Sequence, residues 1–216
     1  MSPTEQLVYN VSSIACLGLW GVAYLLIIRR AFKDRAYGMP LLPLCTNLSY
    51  EFIFAFLLPD DPPLNYANGI WFLIDLVIAY QYLRFGRKEF PSALPQRWFL
   101  PAFGLALVTA FAGILAITFE FQDWHGNYTG WGDQLLISVS FPYLLVRRQS
   151  VKGQSVYIAL SRMIGSIALI PAQYVLTPDS LFLAYVYIAF IVFDLLYIAL
   201  YLRRCRSDGI NPWRRL

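Results

Sequence analysis

Four ionisable side chains interrupt otherwise apolar runs: Glu51 in TNLSYEFIFAF (46–56), Asp75 in IDLVIAYQYL (74–83), Arg162 in LSRMIGS (160–166) and Asp194 in FDLLYIALYL (193–202). A carboxylate at the centre of a membrane helix costs about 2.5–3.5 kcal/mol, so a partner or a task should offset it. Three carboxyls and one guanidinium cannot all be charged cheaply in a dry site. An acid beside Arg162 would stay ionised, whereas an acid without a cation would keep its proton. Together they would supply a proton donor and a counter-charge. The neighbours are aromatic. Trp71 lies one turn before Asp75, Phe190 one turn before Asp194 and Tyr197 one turn after it. Tyr50 adjoins Glu51, and Asn47 lies one turn before it on the same face. Aromatic faces stabilise cations without attacking them, which is what a carbocation requires. The simpler alternative is that Arg162 neutralises one or two acids and locks the bundle, with each aromatic serving as membrane packing or an interface anchor.

These residues need long helices to carry them. The chain has 216 residues, 58% hydrophobic and only 14% charged, where a soluble domain has nearer a quarter charged. Its apolar blocks predict seven membrane spans, at about 7–28, 40–58, 67–83, 98–119, 133–146, 155–176 and 181–202. The expected fold class is all-α, a polytopic membrane protein of one domain. The first span lacks a basic leader and a small-residue cleavage site, so it is expected to stay in place. Counted from the inner end of each span at 1.5 Å per residue, Glu51, Asp75, Arg162 and Asp194 lie at roughly 16, 14, 10 and 12 Å. One layer near the bilayer centre would hold all four, facing the bundle interior.

The net charge of +4 is a topology signal. Sixteen of the 17 basic residues follow spans 1, 3, 5 and 7. The opposite loops hold Asp60, Asp61, Glu120, Asp123, Asp133 and Asp179. The N-terminus is therefore expected outside or in a lumen and the C-terminus in the cytosol. The basic side would face the lipid bilayer surface, and no nucleic-acid partner is expected. Cys16, Cys45 and Cys205 have no disulfide or zinc spacing, and the single histidine, His125, sits in an outer loop, so no metal and no cofactor are expected. Asn127-Tyr-Thr is a glycosylation sequon on the outer side.

The chain also repeats itself. Asp75 aligns with Asp194, Tyr82-Leu83-Arg84 with Tyr201-Leu202-Arg203, and Arg87 with Arg206, all at one offset. LLIIRR (25–30) matches YLLVRR (143–148) at nearly the same offset. Repeat one would run about 7–84, a connector helix about 98–119 and repeat two about 133–203. With one connecting span the halves share an orientation, which is the 3+1+3 parallel repeat of the SWEET transporters. FPYLLVRRQSVKGQS (141–155) resembles the PQ-loop signature of that superfamily, with Pro-Tyr in place of Pro-Gln.

Three stretches carry a more specific likeness: GMPLLPLCTNLSYEFIFAFLLP (38–59), QLLISVSFPYLLVRRQSVKGQSVYIALSRMIGS (134–166) and FDLLYIALYL (193–202). With them the chain resembles the small seven-span integral-membrane terpene cyclases of meroterpenoid and indole-terpenoid biosynthesis, the pyripyropene and paxilline type with bacterial drimentine-type relatives. The resemblance implies a prenylated indole- or phenol-type substrate whose terminal alkene or epoxide is protonated. Cationic ring closure and a final proton loss would follow. Glu51 and Asp194 match the two acidic positions of that family's protonation step, Glu51 as general acid and Asp194 as its partner, or the reverse. Arg162 would set which carboxyl stays charged. Tyr50 stands where many fungal members have Trp, which bears on substrate shape. The pathway's prenyltransferase or epoxidase is a candidate partner. No DDxxD and no DxDD motif occurs, since Asp60-Asp61-Pro-Pro lacks a third acid, so diphosphate ionisation is not expected. The rival is a SWEET/PQ-loop-like small-solute transporter, and a third class is a receptor or structural membrane protein.

Overall fold

A computed structural model describes residues 1–59 and 62–216. Asp60 and Asp61, expected in an outer loop, lie outside the described residues. Seven helices carry the chain: α1 (Pro3–Asp34), α2 (Leu41–Phe52, continued by a π turn over Ile53–Leu57), α3 (Leu64–Phe85), α4 (Phe99–Phe121), α5 (Asn127–Arg148), α6 (Val156–Leu176) and α7 (Leu181–Ser207). No strand occurs among the described residues. The helices α1, α4, α6 and α7 are each long and apolar enough to cross a bilayer. The chain is an all-helical membrane protein.

Local chemistry sets the ends. A capping box opens α1, with the Glu5 N–H donating to Ser2 Oγ at 3.3 Å and the Ser2 N–H donating to Glu5 Oε2 at 2.6 Å. Ser155 and Ser180 cap α6 and α7 through their hydroxyls. The start of α5 departs from expectation. The sequence reading began this span at residue 133 and placed Asp133 in a loop. The helix begins six residues earlier, because the Asp123 carboxylate accepts the Tyr128 and Thr129 N–H groups at 3.0 and 2.9 Å. An anion there satisfies otherwise orphaned donors and favours the helix dipole. Asp133 consequently lies inside α5 and is buried. Glu120 likewise belongs to the last turn of α4. The sequon is also absorbed by the helix, since Thr129 is buried and its hydroxyl donates to Asp123 Oδ2 at 2.9 Å.

The packing has an internal symmetry. In the first triplet α3 touches both α1 and α2, and in the second α7 touches both α5 and α6. The triplets meet along α1–α6 and α2–α5, two seams that interchange when one triplet is exchanged for the other. The connector α4 lies against α2, with Leu105 and Val108 among its exposed apolar residues. This is the contact pattern of a duplicated three-helix unit. Along the main seam Gly165 lets α6 approach α1, since an added Cβ would stand 3.0 Å from Trp20 Cδ1. Where α1 ends, Asp34 accepts from Arg30, from the Gly153 N–H at 2.8 Å and from Arg215 at 2.8 Å, joining α1, the α5–α6 loop and the C-terminal tail. Gly153 is required there, with φ of +72° and room for no Cβ, which would lie 2.6 Å from the Tyr37 carbonyl oxygen.

Candidate active site

A cavity of about 120 Å³ opens at the end of the bundle where α1, α3 and α5 begin and α6 ends. A single water needs only about 10–15 Å³ measured this way. Tyr9, Leu64, Asn68, His125 and Asn127 line it near those helix ends, and Trp20, Tyr24, Asn47, Glu51 and Trp71 line it further along the helices. Two tryptophans are fixed by their ring N–H groups: Trp20 donates to Ser166 Oγ at 3.0 Å and Trp131 to Gln173 Oε1 at 3.1 Å. With those donors occupied, the rings offer the cavity apolar bodies and π faces. Tyr50 also lines it, donating to the Gly126 carbonyl at 3.3 Å and lying 4.7 Å from Phe54, centroid to centroid.

Glu51 is a buried acid of this cavity, 1% exposed. Its Oε1 accepts from Tyr24 Oη at 2.7 Å and from Asn47 Nδ2 at 3.0 Å. Its Oε2 has no hydrogen-bond partner among the described residues. The Asn47 amide nitrogen also reaches Tyr24 Oη, and it lies 2.7 Å from Asp75 Oδ2. Two N–H bonds thus serve three oxygens, and two carboxyls share one amide. Asp75 sits behind Asn47, off the cavity lining, with Oδ1 unpartnered. Immediately beyond Glu51 the helix widens into the π turn, where the Leu58 N–H reaches back to the Ile53 carbonyl at 2.8 Å. Such turns recur at functional sites.

The other two charges form a separate group. Arg162 and Asp194 make a fully buried ion pair, and the guanidinium carbon lies 4.5 Å from the Phe141 ring centre. Neither residue lines the cavity. A short polar chain connects them to it. Arg162 NH1 donates to Ser138 Oγ at 3.4 Å, Gln134 Nε2 donates to the same oxygen at 3.1 Å, and Gln134 forms part of the wall. The four charges are buried together, as their depth predicted, but in two clusters rather than one pocket. Phe190 and Tyr197 also fall outside the lining: Phe190 backs Trp131 at 5.7 Å between centroids, and Tyr197 donates to Gln154 Oε1 at 3.0 Å.

Two members of the site had no place in the sequence reading. Tyr24, Glu51's closest donor, lies on another helix, and no spacing rule links the two. Asp133 also lines the cavity, its Oδ1 bonded to the hydroxyl of Thr46. Its signal was a polar stretch, NYTGWGDQ (127–134), that resembles a loop yet continues at helical spacing into the apolar run.

Comparison with known proteins bears on this geometry. The model of the Pyr4-like transmembrane terpene cyclases matches residues 3–207. The Pyr4-family terpene cyclase of Annulohypoxylon moriforme is 34% identical over 172 residues, 76% of this chain and 70% of its own length. A terpene cyclase of Penicillium canescens is 36% identical over 169 residues, covering 76% and 69%. The asnovolin H synthase of Aspergillus novofumigatus is 30% identical over 175 residues, covering 77% and 70%. No solved structure matches the chain.

Proposed function

The chain belongs to the Pyr4-like transmembrane terpene cyclases, and on that premise we propose that it cyclises a prenylated indole- or phenol-type substrate by protonating its terminal alkene or epoxide, with Glu51 as the acid. The carrying observation is the unpartnered Oε2 of a buried Glu51 in an aromatic cavity. Glu51 and Asp75 share the Asn47 amide, and the guanidinium of Arg162 is engaged by Asp194, so a neutral, protonated Glu51 avoids a second buried charge. A carboxylic acid with one oxygen held by Tyr24 and Asn47 keeps its other oxygen free of hydrogen bonds to the described residues, and that oxygen carries the transferable proton. Protonation then opens the epoxide or adds to the alkene, and Trp20, Tyr24 and Trp71 stabilise the cation by their faces. Asp194 acts as the ionised partner, holding Arg162 against Ser138 and, through it, Gln134 in the wall. Diphosphate ionisation has no role in this scheme.

The same reading spans the bilayer seven times, with the cavity mouth and N-terminus outside or lumenal and the basic loops in the cytosol. Its test is an assay of detergent-purified protein with prenylated indoles and phenols, each as alkene and as terminal epoxide. A product of unchanged mass and shifted retention on LC–MS is the expected result, and it identifies the initiating group. No isomerisation by folded protein across the panel would overturn the substrate class.

A further inference from the structure

The proposed reaction begins with a proton given and must end with a proton taken. We propose that Asp133 is the base that ends it, removing a proton from carbon at the last cation; this rests on the protonation reading above. Asp133 and Glu51 line the same cavity and are both at least nine-tenths buried. Neighbouring residues of α2 hold them: Asn47 binds Glu51, and Thr46 binds Asp133. The acid and the base are thereby mounted on one rigid element but reach the cavity from different helices, α2 and α5.

Three observations separate their roles. The first is the partner. Thr46 Oγ1 lies near Asp133 Oδ1 and also 3.1 Å from the Leu42 and Pro43 carbonyl oxygens. A hydroxyl has one hydrogen and two lone pairs. It donates to Oδ1 of an ionised Asp133, and goes on donating to the same oxygen when Asp133 carries a proton on its other oxygen. The site therefore accommodates Asp133 before and after it takes a proton, without moving a heavy atom. The second is exposure: Asp133 is 7% exposed and Glu51 1%, so a negative charge is less costly on Asp133. The third is position. Asp133 also borders a second groove, lined by Ile114, Ile117, Phe121, Leu136 and Phe182. A carboxylate that lines both the aromatic cavity and this apolar groove is placed to face the hydrocarbon part of a substrate.

The cycle balances. The Glu51 O–H bond breaks as its proton bonds to the epoxide oxygen, whose C–O bond opens, or to the alkene carbon. Each ring closure forms a C–C bond from an alkene pair and moves the cation along the chain. A C–H bond next to the last cation then breaks, its electrons become the product alkene, and its proton bonds to the Asp133 oxygen that Thr46 does not hold. Once product leaves, that proton returns to Glu51 across the shared cavity, and no oxidant or reductant is consumed.

The test uses full-length protein with a substrate that the wild type cyclises, comparing Asp133→Asn, which keeps an acceptor for Thr46, with Thr46→Val. Substrate should still be consumed by Asp133→Asn. The share of fully cyclised, deprotonated product should fall at least tenfold, replaced by products one water heavier or incompletely cyclised. Thr46→Val should shift the profile in the same direction by a smaller factor, and it carries the test if Asp133→Asn does not fold. An unchanged product profile in the folded variants would overturn the proposal. So would complete loss of turnover by folded Asp133→Asn, which would assign Asp133 to initiation. A failure of the protonation reading looks different: Glu51→Gln would then turn over like the wild type.

Discussion

Glu51→Gln isolates the transferable proton from every other property of the side chain. Both donors to Glu51 converge on Oε1, Tyr24 at 2.7 Å and Asn47 at 3.0 Å. A glutamine placed with its carbonyl oxygen there retains both bonds. Its NH₂ then takes the place of Oε2, which has no partner among the described residues. The unmet donors should cost about 1–3 kcal/mol of stability, enough to lower the melting temperature in detergent without preventing folding. The effect on the reaction is larger. A positioned general acid contributes roughly 10²–10⁴-fold, or about 2.7–5.4 kcal/mol of barrier at 1.36 kcal/mol per decade. The ring faces that would hold the substrate are unchanged, so the loss should fall on kcat and leave KM nearly as it was. Single-turnover and steady-state LC–MS on the purified variant, with thermal unfolding as the control for folding, measure both quantities. A folded variant with kcat within about threefold of wild type would refute the assignment of the proton donor.

Tyr24→Phe removes the shortest bond to Glu51 and one acceptor of the Asn47 amide; kcat should fall about tenfold with a stability loss of about 1–3 kcal/mol, read by the same assays. Asp194→Asn strands a buried guanidinium and should cost about 3–5 kcal/mol, whereas the double change Arg162→Met with Asp194→Leu should recover most of that stability but not turnover. Thermal unfolding of the two variants, side by side, decides it: equal stability of the single variant and the wild type would argue against the ion pair. Gly153→Ala forces a Cβ to within 2.6 Å of the Tyr37 carbonyl oxygen in a left-handed backbone, and a loss of at least about 2 kcal/mol in detergent is the expected reading.

Much of this protein is legible along the chain. Apolar runs predict where the helices lie, and among the described residues α1, α4, α6 and α7 are long and apolar enough to cross a bilayer. Depth is legible too, since a helix rises a constant 1.5 Å per residue. It predicts one layer for Glu51, Asp75, Arg162 and Asp194, and all four are buried. The Asn47–Glu51 pairing follows from one-turn spacing alone. The late start predicted for α5 arose where a buried polar turn carries loop-like residues and depends on Asp123 for its first donors, and α1 and α7 run on past their apolar spans into basic turns.

Azimuth around the bundle is different in kind. Residues at one depth can face each other or lie on opposite sides of a helix, and the choice belongs to how the triplets pack. By itself the sequence determined a helical membrane protein, four ionisable residues that would be buried, and a family. Only the tertiary structure decided that Arg162 closes on Asp194 away from the cavity, that Tyr24 of α1 reaches Glu51 of α2, and that Asp133 turns inward beside Thr46. Each is a contact between two helices, set by the meeting of side-chain surfaces, which no periodicity within one helix encodes.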